Sequence, residues 1–597
     1  MKCVKQIVFG GFLWSVLVLS TWANPVNMDA LVNPEKIKPA GKWHEATVPD
    51  TLDLADHARL AINCLTGNVD PDNRYLVFQS FDFGEKPPAA RQPSGLHSKN
   101  CRALPLMRTM CGSEQNLDIE CEIIKRIHGT FMLENCYHRD PDANWLNVFK
   151  NEADRFNPHA PNIIYVEDRA FIPPESSLTS DGKWIFIGGE NPSIPYNPPE
   201  EPNDDHVGLE GCVKWHQMYF MRGLMCHYRY GQNEQALELI RKMTRFCLRP
   251  ELWEDTGDQG FPGNEHGIWG GHWHGGMGAL QMLLEVALLE NDDHLKRIVQ
   301  EGYDHAMRLA KMQLGWVPCW STPTKYKRGE SLRFIHESCG TADTLILAVK
   351  LSDAGLGDYW NDVERVARRL ALQQWTDREA MLERAGGDAA SNALIERFVG
   401  GFGNGALHSR LYQTTGCCSA NGSIGLYYAW HGITRFDKGV ATVNMFLNRA
   451  SAWMDVDSYL PYEGRVVLHN KQAKTALVRV PSYVNPDEVK CFVDGELVEA
   501  PLSGRNLVFT GLAGGEKIKL EFPLRQDEAM YTVNDIPYEV TTRGASVLRI
   551  EPNEIQPKGL AYFPHHYKIY PMEGFDQGAT PMRKIQRFVS DRVIPLQ

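Results

Sequence analysis

Leu345-Ile346-Leu347-Ala348-Val349-Lys350-Leu351, a polar turn from Asp353 to Asp358, and then Val363, Val366 and Leu370 decide the fold class. Apolar residues three and four apart on both sides of a short Gly/Asp link describe an amphipathic αα-hairpin. The unit occurs twice more upstream. Leu280, Leu284, Ala287 and Leu288 lead into Asn291-Asp292-Asp293 and then Leu295, Val299 and Ala306. Val213, Phe220 and Leu224 lead through Tyr230-Gly231-Gln232-Asn233 into Ala236, Ile240, Met243 and Cys247. Hairpins that recur without a fixed period suit a closed α/α toroid better than an open solenoid.

After about Gly439 the texture changes. Thr475 to Pro481, Cys491 to Leu497 and Lys517 to Phe522 alternate in polarity and are rich in β-branched residues, and Asp494-Gly495 is a hairpin turn signal. The expected class is therefore α+β and multidomain, with an α/α toroid followed by a C-terminal β-sandwich. The expected boundaries are 24–437 for the helical barrel, 438–525 for the sandwich and 526–597 for a C-terminal β-rich extension, which includes Arg543 to Leu548. The stretch before the hairpins, Leu52 to Asn135, reads as mixed and largely helical, and Asn191 to Asp205 is too rich in proline for regular structure. So long a loop often borders a functional cleft.

The first residues read as a secretory signal. Lys2 and Lys5 precede the apolar run Ile7 to Ser20, and Thr21-Trp22-Ala23 is an acceptable cleavage site, giving a signal peptide over 1–23. The expected location is secreted or periplasmic, with no stable membrane insertion after cleavage. A net charge of −12 argues against nucleic acid as a partner. Export would oxidise many of the 14 cysteines, and Cys64, Cys101, Cys111, Cys121 and Cys136 are the disulfide candidates, whereas Cys212, Cys226 and Cys247 fall in helical patterns.

Immediately before the deciding hairpin stands Glu337-Ser338-Cys339, and further along stands Gly416-Cys417-Cys418-Ser419-Ala420-Asn421. Thiolates are soft ligands that suit Zn²⁺, and one carboxylate completes a tetrahedron of three sulfurs and one oxygen. Adjacent cysteines in a sharp turn can reach one ion. A Glu and a Cys two apart do not share a helix face, but at a helix start or in an extended loop they can converge. The bland alternative is that these are buried packing thiols.

These two pieces, followed by Val456 to Gly464 and Ala476 to Ser482, resemble the family-127 glycoside hydrolases, β-L-arabinofuranosidase-like enzymes with an (α/α)6 barrel and β-sandwich material. The resemblance covers about Gly211 to Leu548. It implies Zn²⁺ held by Glu337, Cys339, Cys417 and Cys418, with Cys417 as the nucleophile that forms a thioglycosyl intermediate. Metal binding would keep the thiol ionised. A second group must protonate the leaving oxygen and later activate water. The family's Gly-Glu step points to Glu330 in Gly329-Glu330, which stands much nearer to Glu337 than in the family; Glu265 is the other candidate. The family's Arg after the Cys-Cys-x-x-Asn piece is replaced here by Gly422-Ser423-Ile424-Gly425.

Gly270-Gly271-His272-Trp273-His274-Gly275-Gly276 opens a helix where a ligand could approach the backbone. His272, His274 and Trp273 are expected sugar contacts, and His216 is either a sugar contact or a core histidine. A second metal site at the histidines is disfavoured because no carboxylate pair is near in sequence. Trp253, Trp269, Trp316 and Trp320 fall in loops near these elements. The expected partner is an oligosaccharide or polysaccharide. Two rivals share the scaffold: a polysaccharide lyase with a Tyr or His base, and a non-catalytic glycan-binding protein with structural zinc.

Overall fold

The computed structural model describes residues 32–129, 164–166, 169–171, scattered positions in 218–229, 234–248, 253, 272–320, 335–553, 566–568 and 579–595, apart from 74, 85, 95–96 and 534–535. The signal stretch, Asn191 to Asp205, Cys136, Cys212, His216, Cys226, Glu265, Trp269 and Glu330 lie outside them.

Six helices frame the site: α1 (Leu54–Gly67), α2 (His97–Cys111), α3 (Trp273–Leu289), α4 (Ser338–Asp353), α5 (Trp360–Gln373) and α6 (Gly416–Ile433). The two later hairpins stand as expected; of the first, the return helix Glu234–Cys247 is present, and Val213, Phe220 and the turn Tyr230 to Asn233 lie outside the described residues. α3 turns at Asn291 into the helix Asp293–Met307, whose first turn is capped by the Asp292 carboxylate accepting from the backbone N–H groups of His294 and Leu295. α4 turns over residues 354–359 into α5.

Two kinds of helix are present. α3 is buried from Trp273 to Ala287, α4 from Ser338 to Val349, and α6 at every residue except Cys417 and His431. A helix that is apolar all round must be surrounded by protein. The returning helices bury one stripe only: Leu295, Val299, Tyr303 and Ala306 in one, and Val363, Val366, Ala367 and Leu370 along α5. Leu288, expected on the buried face of α3, is 43% exposed, because it lies one residue past Ala287 at the helix end.

The strands after α6 build two five-stranded sheets. One runs Leu502–Ser503, Asn506–Thr510, Thr475–Arg479, Val440–Val443, Thr434–Asp437, and the other runs Met454–Ser458, Arg465–Asn470, Lys517–Glu521, Lys490–Val493, Glu496–Val498. Asp494 and Gly495 have φ of 52° and 94°, the left-handed pair a two-residue hairpin needs, and Val493 pairs with Glu496. Inward residues of both sheets (Ala476, Val478, Leu468, Ile518) join the same apolar core as α3, α4 and α6. Strand Thr434–Asp437 follows α6 directly and pairs with Val440–Val443. The sheet therefore begins at Thr434, and the expected boundary at 437/438 falls within its first hairpin.

Residues 52–129 carry strands Leu76–Asp82 and Ala89–Ser94 between their helices, the mixed pattern expected. Two further features differ from the reading of the chain. Gln526–Glu551 is a three-stranded antiparallel sheet, but Met582–Ser590 leaves it and pairs residue by residue with Gly41–Pro49, with Phe588 against Trp43. The first and last strands of the described residues thus share one ribbon. Cys64, Cys101, Cys111 and Cys121 form no disulfide among the described residues. Cys101 and Cys111 belong to the main core, whereas Cys64 lies with Phe81 and Trp375 and Cys121 with Val32 and Ile37.

Candidate metal and catalytic site

Both motif halves sit at helix starts. Glu337 is the N-cap of α4, with extended backbone, and Cys339 is in the first turn. Gly416, Cys417 and Cys418 open α6. The cysteine pair was expected in a sharp turn, and the first helical turn serves instead. α6 is held from behind by strand Gln413–Thr415, which pairs with Leu76–Asp82 through Ser80 and Thr415. Gly416 is required there, because a β-carbon would collide with the Phe78 carbonyl oxygen. On the other side, the His336 backbone pairs with Gly405, and the neutral His336 Nδ1 accepts from Arg369 Nη2 at 2.9 Å. Burial and the Arg369 charge hold that imidazole well below its ordinary range. Ser338 Oγ donates to the Gly403 carbonyl at 2.5 Å.

α4 and α6 pack closely because Gly425 lies over Ala342: a β-carbon at 425 would stand 2.8 Å from Ala342 Cβ and 3.0 Å from Leu370 Cδ2. This accounts for Gly422 to Gly425 where an Arg was looked for, since that stretch is fully buried in helix packing. The two N-termini therefore meet. One ligand atom from each of Glu337, Cys339, Cys417 and Cys418 lies within 4.8 Å of all the others, and only Cys417 is partly exposed. Helix N-termini carry partial positive charge and favour thiolates.

The thiols differ in acidity. Hydrogen bonds from Cys339 and Cys418 hold the Cys417 thiol well below its ordinary range against the effect of burial, and the charges of Lys99 and His274 assist. Burial pushes Cys339 and Cys418 up. Burial also raises the Glu337 carboxyl, but the charge and hydrogen bond of His272 bring it below its ordinary value. The carboxylate is divided, with Oε1 3.8 Å from Cys418 Sγ and Oε2 2.6 Å from His272 Nε2. Cys418 Sγ also lies 3.6 Å from Asn404 Oδ1. Three soft sulfurs and a carboxylate gathered within 4.8 Å of one another fit a thiophilic metal ion.

His272 thus stands at the cluster. Its ring stacks on Trp320 at 5.4 Å between centroids. His274 and Trp273 are corrected. Trp273 is fully buried and its indole N–H donates to Thr344 Oγ1 at 2.8 Å, so it presents no face to a sugar. His274 is 2% exposed, with Nδ1 paired to Asp343 Oδ2 and Nε2 3.5 Å from Lys99 Nζ. It belongs to a buried charge network under the cysteines. Burial pushes the Asp343 carboxyl up, but His274, with Arg222 and Asn421, brings it down to about 2. Gln281 links that carboxylate to Arg222, and Asn421 Nδ2 donates to the Cys339 carbonyl at 3.1 Å. Trp316 and Trp320 are buried, and half-buried Trp253 donates to the Cys247 carbonyl.

Lys99, Asp343 and Cys319 were not found by sequence reasoning. Asp343 stands one helical turn after Cys339 and was readable as a residue facing the same way. Lys99 arrives from α2 and Cys319 from an extended segment, with no spacing signal in either case. Cys319 Sγ lies 3.6 Å from Glu337 Oε2.

No protein-family model and no curated protein matches the chain. Solved structures overlap with it at low identity. A GH127 β-L-arabinofuranosidase from Geobacillus stearothermophilus T6 is 11% identical, with 83% of this chain and 80% of that one covered and a TM-score of 0.41. A second GH127 β-arabinofuranosidase is 11% identical, over 85% and 84%, with a TM-score of 0.43. A structure described as a glycoside hydrolase is 10% identical, over 87% and 84%, with a TM-score of 0.44.

Proposed function

We propose that the protein is an exported, zinc-dependent retaining glycoside hydrolase of the β-L-arabinofuranosidase-like kind, acting on an oligosaccharide or polysaccharide. The observation that carries this reading is the meeting of Glu337, Cys339, Cys417 and Cys418 from two distant motifs. The toroid over 24–437, the β-sandwich and its extension, and the secreted or periplasmic location belong to the same proposal. The all-round burial of α3, α4 and α6 supports the toroid. The Lys2 to Ala23 pattern supports export.

Glu337, Cys339, Cys417 and Cys418 would hold the ion. Bound Zn²⁺ supplies positive charge that keeps thiols ionised at neutral pH. Cys417 is the partly exposed sulfur of the group, so it is the one an incoming sugar meets. Its Sγ attacks the anomeric carbon, and the bond to the leaving oxygen breaks as Glu330 delivers a proton to that oxygen. Water then attacks the same carbon, Glu330 takes its proton, the carbon–sulfur bond breaks and the thiolate returns. The Lys99 charge favours the Cys417 thiolate. His272 and His216 are the proposed sugar contacts.

The test measures metal content and hydrolysis of an aryl β-L-arabinofuranoside in wild type, Cys417→Ser, Cys339→Ser and Glu330→Gln. Zinc in the wild type, weakened in the cysteine variants, with turnover lost in Cys417→Ser and slowed in Glu330→Gln, supports the hydrolase. Unsaturated uronate products would establish the lyase reading, and saturable glycan binding without turnover the binding-protein reading. Metal-free, reduced protein would overturn the central assignment.

A further inference from the structure

We propose a second cation position beside the three-cysteine group, formed by His272 Nε2, Cys319 Sγ and Glu337 Oε2. It rests on the proposed metal centre in one respect, namely that Glu337 would be shared. The Glu337 carboxylate is already split between two sets of donors. Oε1 faces Cys418 at 3.8 Å, whereas Oε2 faces His272 Nε2 at 2.6 Å and Cys319 Sγ at 3.6 Å. The nitrogen, the sulfur and the oxygen all lie within 4.8 Å of one another, as the donors of the first group do.

The three donors come from three chain segments whose backbones are tied together before any ion arrives. Trp273 N donates to the Cys319 carbonyl at 2.9 Å, Cys319 N donates to the Ile335 carbonyl at 2.8 Å, and the backbone of His272 pairs with that of Trp320. Trp320 stacking fixes the His272 ring plane. The site is therefore built in advance, which lowers the ordering cost of binding. Its donors also define the ion. An imidazole, a thiolate and a carboxylate select Zn²⁺ or Co²⁺ over Mg²⁺ or Ca²⁺, and three protein ligands leave a fourth position open. Cys319 and Glu337 are buried while His272 is partly exposed, so the open side faces out past the imidazole. The absence of a carboxylate pair in sequence near the histidines does not count against this site, because one carboxylate with two oxygens can bridge.

The competing account makes His272 a hydrogen-bond partner that orients Glu337, and Cys319 a packing thiol. The two accounts differ in stoichiometry. The full chain, purified in reductant and stripped with a chelator, is titrated with Zn²⁺ and, separately, with Co²⁺. Bound metal is counted by mass spectrometry after desalting, and cobalt–thiolate charge-transfer absorption is followed. The expected result is two ions per chain, falling to one in Cys319→Ser and in His272→Gln, with near-wild-type circular dichroism in at least one of them. One ion in wild type, unchanged in both variants, overturns the second position and leaves the three-cysteine centre standing. Two ions persisting in both variants also overturns it. Absence of any bound ion removes both proposals.

Discussion

Asp343→Asn should cost the helical core about 2 to 4 kcal/mol, and the size of the effect follows from the charge network beneath the cysteines. Asp343 is fully buried on α4, paired with His274 and bonded by Gln281. Its carboxyl is brought from an ordinary 3.8 to about 2. A depression of that size corresponds to ~2 kcal/mol, since one pKa unit is about 1.4 kcal/mol. Asparagine keeps the shape but removes the carboxylate charge that His274 and Arg222 face, and breaking one partner of a buried pair costs about 3–5 kcal/mol. The sign with pH is fixed. The folded pKa is lowered, so the stabilisation is complete above the unfolded value and is lost as pH falls through about 2. Urea unfolding followed by tryptophan fluorescence reads this directly, because Trp273 packs against α4. The gap between wild type and Asp343→Asn should be largest near neutral pH and should narrow below about pH 4. A loss under about 1 kcal/mol at neutral pH, or a gap that stays constant on acidification, would refute the reasoning.

Two further predictions test the packing. Gly425→Ala forces a methyl group to within 2.8 Å of Ala342 Cβ, and should cost about 1–3 kcal/mol in the same unfolding assay; a neutral effect would mean that α4 and α6 are not packed this closely. Trp273→Phe removes the indole bond to Thr344 and should cost about 1 kcal/mol with no change in glycan affinity. Weakened glycan binding by a folded Trp273→Phe would return that ring to the sugar site.

The helical hairpins were legible because burial imposes a periodicity on sequence. Val363, Val366 and Leu370 repeat at helical spacing and occupy the buried face of α5. Strands Thr475–Arg479 and Lys517–Glu521 were legible for the same reason at period two, and Asp494-Gly495 because few residues tolerate positive φ. The two halves of the Glu337, Cys339, Cys417 and Cys418 group were legible because each carries its side chains locally.

The sequence by itself determined the helical hairpins, the strand-rich second half and the four donors of one cluster, since each rests on neighbours within about one turn or one hairpin. Only the tertiary structure decided which long-range partners surround them. Nothing local in Met582–Ser590 specifies pairing with Gly41–Pro49. Nothing local in Lys99 or Cys319 specifies an approach to His274 or Glu337. Nothing local told Trp273 from a sugar platform, because an indole serves a core and a cleft equally well until its neighbours are in place. Chain connectivity constrains spacing along the backbone, whereas contacts between distant segments are set by how whole elements pack, and these residues take their roles from that packing.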